Sequence, residues 1–254
     1  MAKKRTKRTI TKRKAKAGSL ALAGPERLTR QQMLDGVPGP DGVRIGFAVP
    51  EEAGAVTTLL KAAADDLEAG HLEALARGEC GTWLLDVLEG VDLGEPLVRA
   101  GAAGEFQRAA GELSLPLVAR DGDGQVVGAL LGVLSGTVVS GLARLPGGRR
   151  YVLVSMLTYA KIKAVAVSED ARRRGIGAAL LARCVQVYWQ LKYTLLFGEF
   201  DTERALGPYY RRQGFTVLRP GQGIDVGTLL TGVPLHLGAG PGLTFFHRWR
   251  PQDR

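Results

Sequence analysis

The 254-residue chain has no apolar run approaching the roughly 18 residues that a membrane-spanning helix requires. Its longest apolar stretches, such as Val126–Leu134, contain Gly and read as buried strands. Cysteine is almost missing: Cys80 and Cys184 stand far apart, without metal-ligand spacing. That excludes a disulfide scaffold, and a reduced, cytoplasmic protein is the simplest reading. Two phosphate-binding signatures are also missing. Where a dinucleotide-binding Gly-x-Gly-x-x-Gly needs its third glycine after Gly175 and Gly177 there is Leu180, and no Gly-Lys-Ser/Thr of a P-loop occurs.

Acids are missing from residues 1–18, which hold nine Lys/Arg. The other 25 basic residues balance 25 acidic ones, so the net charge of +9 belongs to this arm and not to a folded body. The apolar segment after it, Leu20–Ala23, is too short for a signal-peptide core. Such an arm is either solvated and disordered or makes weak, non-specific contact with polyanions. Residues 1–40, basic and then rich in Gly and Pro, are expected to have little fixed structure. Residues 41–254 are read as a single domain, a monomer or a homodimer, with order beginning at a strand over Arg44–Val49.

Pro50-Glu51-Glu52 opens a helix, since Pro suits the first turn and acids suit the helix dipole. Val56, Leu59, Leu60 and Ala63 give that helix one apolar face. Helical pieces follow around Leu72–Ala76 and Trp83–Leu88, then a longer helix over Leu97–Leu113. Leu115–Arg120 and Gln125–Leu134 form a hairpin around Asp121-Gly122-Asp123-Gly124. A Gly-rich connection, Ser135–Arg150, leads to Tyr151–Val167. This stretch is too long for an average strand and is expected to be a hairpin arm, a bulge or two strands, ending in Ala164–Val167 buried on both faces. A helix follows from Gly175 to about Lys192 with Cys184 on its apolar stripe. Then come a strand over Thr194–Phe200, a short helix stopped by Gly214, and strands at Phe215–Leu218 and Leu243–Trp249.

The sharpest local signal is a strand followed by Arg172-Arg173-Arg174-Gly175-Ile176-Gly177-Ala178 at the start of a helix. A helix N-terminus offers unpaired N–H groups and about half a positive charge, and glycines let an anion approach the backbone. Arg172-x-x-Gly175-x-Gly177 resembles the Arg/Gln-x-x-Gly-x-Gly/Ala signature of the GNAT superfamily of N-acetyltransferases. Tyr210-Arg211-Arg212-Gln213-Gly214-Phe215 resembles its second mark, Tyr-x-x-x-Gly-Phe.

The resemblance implies an α/β fold with a mixed, mostly antiparallel sheet split between its two central strands, where acetyl-CoA enters as co-substrate. It implies that backbone groups of Val165, Ala166 and Val167 hold the pantetheine arm. Those of Arg173–Ala178, with Arg172, would hold the diphosphate, and Tyr210 would protonate the departing thiolate. No metal is implied. The chain departs from the family at Glu203, where an Asn is frequent, at Pro208 inside the last helix, and at Lys161, where histone-type members carry a glutamate base. Glu199 and Asp201, or a water chain, are then the candidate bases, and the three histidines are read as structural or solvated. The acceptor amine is expected to be read by residues 67–95, 136–160 and 219–242. It is a small metabolite or antibiotic, or else a protein lysine or N-terminus. A non-catalytic acyl-CoA or nucleic-acid binding module is the alternative of another class.

Overall fold

The computed structural model describes residues 26–64, 67–227 and 235–251. The basic arm of residues 1–18 lies outside them. Order begins well before Arg44. Thr29 caps α1 (Arg30–Asp35) in a reciprocal capping box with Gln32, and β1 (Val37–Pro38) follows. Leu28 and Met33 are fully buried, and the Gln190 side-chain amide bonds both the N–H (2.8 Å) and the C=O (2.6 Å) of Leu28. Residues 26–40 are therefore part of the body, against the sequence expectation. Gly and Pro there mark tight turns between packed apolar side chains.

The chain continues through β2 (Arg44–Phe47), α2 (Ala53–Lys61), α3 (Ala69–Ala76), α4 (Thr82–Leu88), α5 (Gly94–Ala103) and α6 (Phe106–Glu112). The helix expected over Leu97–Leu113 is broken at Gly104, whose φ of 76° ends α5 in a left-handed C-cap. The hairpin β3 (Leu115–Arg120) and β4 (Val126–Val133) forms as read, with Asp121 Oδ1 accepting from the N–H groups of Asp123 and Gln125. The expected connection over Ser135–Arg150 is instead largely helical. Ser135 caps α7 (Gly136–Ala143), and α8 (Gly148–Met156) takes in the first part of the Tyr151–Val167 segment. Val152 and Met156, one turn apart, are buried, so a helical stripe was hidden inside a β-rich composition.

The C-terminal half comprises β5 (Tyr159–Val167), α9 (Ile176–Gln190), β6 (Leu195–Asp201), α10 (Gly207–Arg212), β7 (Thr216–Val217), β8 (Gly223–Asp225), β9 (His236–Gly238) and β10 (Leu243–Trp249). Eight strands form one sheet in the order β1-β2-β3-β4-β5-β6-β10-β7, and β8 pairs with β9 separately. Every pairing is antiparallel except β5 with β6. One face packs on α2 and α3 through Val118, Ala129, Leu131 and Ala164. The other packs on α9 through Leu117, Ala119, Leu130 and Ile162, with Cys184 of α9 fully buried there. Among the described residues no helix is long and apolar enough to cross a membrane.

Candidate active site

The parallel pairing of β5 and β6 runs only from Tyr159↔Leu195 to Ile162↔Gly198, and beyond it the two strands separate. Two features of the sequence make the fork. The β4–β5 register skips one residue between Ile162 and Ala164, so Lys163 is a bulge. Ile162 and Ala164, two apart and expected on one face, accordingly pack into opposite cores. A bulge adds twist and ends regular pairing. On β6, Gly198 is the last paired residue, and a Cβ there would collide with the Phe246 ring and stand 2.8 Å from Ile162 O. Glycine alone lets the ring underlie the fork.

Past the fork, β6 stays with β10 and β5 with β4. Ser168 N donates to Val127 O at 2.9 Å. By antiparallel alternation, Ala164 and Ala166 then direct their backbone groups to β4, and Val165 and Val167 direct theirs to the side that β6 has left. The Val167 carbonyl on that side accepts from Arg172 Nε at 3.2 Å. Of the expected backbone contacts, Val165 and Val167 thus face the opening and Ala166 does not. The segment Val165–Val167 is half-buried rather than buried on both faces, because no strand covers it there.

The turn after β5 leads into α9. Arg173 adopts φ 64° and Gly175 φ 83°, and a non-glycine residue in that region stores on the order of 1–3 kcal/mol of strain. No side chain caps the first turn of α9, so its leading N–H groups are left to an anion or to water. A groove of about 500 Å³ opens over them, lined by Val165, Val167, Arg172, Arg173, Gly175, Ile176, Gly177, Ala178 and residues of α10. A Cβ on Gly177 would stand 3.1 Å from Tyr209 Oη and 3.5 Å from Val167 Cγ2. Arg174 does not line the groove. It turns away to pair with Asp41 at 3.1 Å, on the N-terminal loop that packs Pro40 against Gly175.

α10 begins at Gly207 with Pro208 in its first turn and ends before Gly214 (φ 81°), as Pro and Gly at those places require. It delivers Tyr209 and Tyr210 to the opening. Tyr209 is half-buried and lines the groove. Tyr210 is buried, with its ring stacked on Phe246 at 3.8 Å between centroids and on Phe200 at 5.4 Å. Burial pushes its hydroxyl up to about 12, so it holds its proton throughout the neutral range.

Tyr210, Val165 and Leu206 also line a second cavity, of about 290 Å³, inside the fork itself. Its wall comes from Ala63 and Ala64 beyond α2, from Lys161–Val165 of β5, from Glu199–Asp201 of β6, and from Arg204 and Leu243. Glu199 forms an ion pair with Lys161 and accepts from Gly240 N at 3.4 Å. Asp201 is exposed, and its Oδ1 accepts from Glu203 N at 2.9 Å. Glu203 lines neither cavity.

Residues 67–95 and 136–160 supply none of this wall. The α7–α8 hairpin packs instead on α5 and near the start of β5, away from the fork. From 219–242 only Gly240 reaches Glu199, and residues 228–234 lie outside the described residues. His71, beside Ser114 at 3.3 Å, the exposed His236 and the buried His247 all lie off both cavities. Burial lowers the pKa of His71 and of His247. Sequence reasoning missed Arg204 and Leu206, which carry no motif, and Lys161 was seen there only as the occupant of a base position. Its pairing with Glu199 depends on the register of two strands that are distant in sequence.

Residues 114–217 match the family model described as an acetyltransferase (GNAT) domain. That span runs from β3 to β7 and contains the fork, the turn and Tyr210. No curated protein matches the chain. Among solved structures, nourseothricin acetyltransferase is 20% identical over 54% of this chain and 66% of its own, just under two thirds, with a TM-score of 0.34. A ribosomal-protein-alanine N-acetyltransferase from Brucella melitensis is 20% identical over 81% of this chain and 99% of its own, TM-score 0.42. A GNAT family acetyltransferase from Elizabethkingia anophelis with acetyl-CoA bound is 13% identical over 83% and 99%, TM-score 0.40. The forked sheet, the glycine turn and Tyr210 all lie inside the matched span, so it is residues 114–217 that carry the likeness to a GNAT acetyltransferase domain.

Proposed function

We propose that this protein transfers an acetyl group from acetyl-CoA to the nitrogen of a small primary amine. The observation that carries the reading is the meeting of two cavities at one proton donor. The groove over the uncapped start of α9 and the polar cavity in the fork share Tyr210, Val165 and Leu206. The groove suits the CoA portion. Its anion-facing end is made of the backbone at Arg173–Ala178 with the side chains of Arg172 and Arg173, and Gly177 leaves open the space that a Cβ would fill. The exposed backbone edge at Val165 suits the amide-bearing arm, which would add hydrogen bonds where β6 no longer does.

The fork then presents the acetyl group to an amine in the second cavity. Holding the two together converts a bimolecular reaction into one within a single complex. Glu199, half-buried in that cavity, accepts the amine's proton directly or through one water. Tyr210 donates its proton to the departing sulfur, a role that its raised pKa permits because the hydroxyl stays protonated. Arg174, turned to Asp41, takes no part.

The test is calorimetric titration with acetyl-CoA, followed by thiol release measured with a panel of primary amines. Saturable binding and amine-dependent thiol release are expected. A folded protein that binds no acetyl-CoA would refute the reading.

A further inference from the structure

The cavity in the fork carries charges of both signs, and most of them are already matched. Lys161 and Glu199 neutralise each other, and Lys163 has an interaction of its own. Arg204 is different. It ends the short 3-10 turn Thr202–Arg204, whose start Asp201 caps and whose end is fixed by Ala205 in a left-handed conformation at φ 50°. From there Arg204 Nη1 reaches the carbonyl of Ala63 at 3.1 Å, bridging the β6 wall and the α2 wall at the mouth of the cavity. That is its one hydrogen bond and it makes no ion pair among the described residues. A guanidinium has five N–H donors in a planar fork, so most of its binding capacity faces the opening unused.

We infer that the acceptor is a small amine that also bears a carboxylate, with Arg204 as the residue that reads the carboxylate while Glu199 faces the amine. The inference rests on the acetyl-transfer reading above. A planar fork matches one carboxylate with two parallel hydrogen bonds, whereas a phosphate dianion calls for a second free cation. A polycationic acceptor would meet a like charge at the mouth. The cavity, about 290 Å³, is at the small end of the range for ligand sites, which suits an amino acid rather than a large amine.

The experiment measures kcat and KM, at saturating acetyl-CoA, for a set of amino acids and for the same amines without the carboxylate. Phosphoethanolamine is included as a phosphate-bearing control. The carboxylate-bearing amines should be preferred by about tenfold or more, the scale of a charge-assisted hydrogen bond at a partly exposed site. Arg204→Ala should remove that preference by raising KM for the amino acids far more than for the decarboxylated amines. Arg204→Lys should restore part of it. Equal use of both sets by the unaltered protein, preference for phosphoethanolamine, or an equal loss on both sets in Arg204→Ala would overturn the inference. Calorimetry on the same samples separates the two levels. Acetyl-CoA binding without carboxylate preference sinks only the acceptor assignment, while no acetyl-CoA binding sinks the acetyl-transfer reading with it.

Discussion

The rings of Tyr210 and Phe246 lie nearly parallel, 18° apart, with 3.8 Å between their centroids. Phe246 comes from the middle of β10 and sits under the fork because Gly198 leaves room for it. The tyrosine is thereby held by ring packing and not by its hydroxyl, which leaves the hydroxyl available for chemistry.

Tyr210→Phe should therefore fold normally, with a Tm change under about 3 °C, within what 1 kcal/mol gives a chain of this size. Its kcat should fall about 10²-fold, the low end for a lost general acid, with little change in KM for acetyl-CoA. The pH profile adds a check. The folded pKa of about 12 lies above the unfolded value of about 10. The stability from burying the neutral hydroxyl is thus fully present below pH ~10 and is lost as pH rises towards 12. Ionisation of Tyr210 should accordingly cause no loss of kcat below pH ~10. Full turnover in Tyr210→Phe would make the residue structural.

Gly177→Asp tests the groove. The new Cβ would meet Tyr209 and Val167 at the distances given above, and its carboxylate would enter the anion site at the start of α9. Acetyl-CoA affinity should fall by at least 10²-fold while the circular dichroism spectrum is retained, since φ at this position is ordinary for a helix and needs no glycine. Gly175→Asp is a less clean probe because φ 83° there adds backbone strain. Unchanged affinity in a folded Gly177→Asp protein would remove the assignment of the groove.

The glycine turn and the tyrosine were legible in the sequence because each is a local device: a strand end, a left-handed glycine, a helix start, a Pro and Gly bracketing one short helix. The strand pair that forks was legible in outline, and a bulge was among the expectations for Tyr151–Val167. Lys163 as the bulged residue was not, since a bulge is defined by what the partner strand skips. The α7–α8 hairpin was misread because Val and Leu dominate a helix whose apolar stripe is set by packing. The wall of the cavity in the fork was not legible for a related reason. Ala63, Lys161 and Arg204 reach it through tertiary placement that carries no sequence signature.

Glu199 and Asp201 can be told apart as bases. Glu199 is half-buried and paired with Lys161, while Asp201 is exposed and engaged in capping a turn. Glu199→Gln keeps size and should lower kcat by about 10², within the range for a removed general base. Asp201→Asn should lower kcat less than threefold, because Asn caps such turns about as well. Comparable small effects from both would assign the proton to a water chain.

At residues 26–40 the structure reverses the sequence reading. Residues 1–40 were expected to have little fixed structure, and deletion of residues 1–30 would on that view leave activity intact. Instead Leu28 is fully buried and tied to Gln190 through both backbone groups, and Thr29 caps α1. Removing a buried Leu costs about 2–5 kcal/mol and losing a cap about 1 kcal/mol. Deletion of 1–30 should lower the Tm by roughly 6–24 °C, at about 2–4 °C per kcal/mol for a chain of this length, or leave the protein insoluble. Pro40 packs on Gly175 and Asp41 pairs with Arg174, so loosening this segment should also weaken acetyl-CoA binding. Deletion of 1–25 stops short of every one of these contacts, removes all nine arm cations, and should leave Tm and turnover within error. It should also abolish any salt-sensitive binding to DNA or RNA, because the body left behind is close to neutral. Equal stability of the two truncations would mean that Leu28 and Thr29 contribute nothing to the fold, contrary to their burial and bonding.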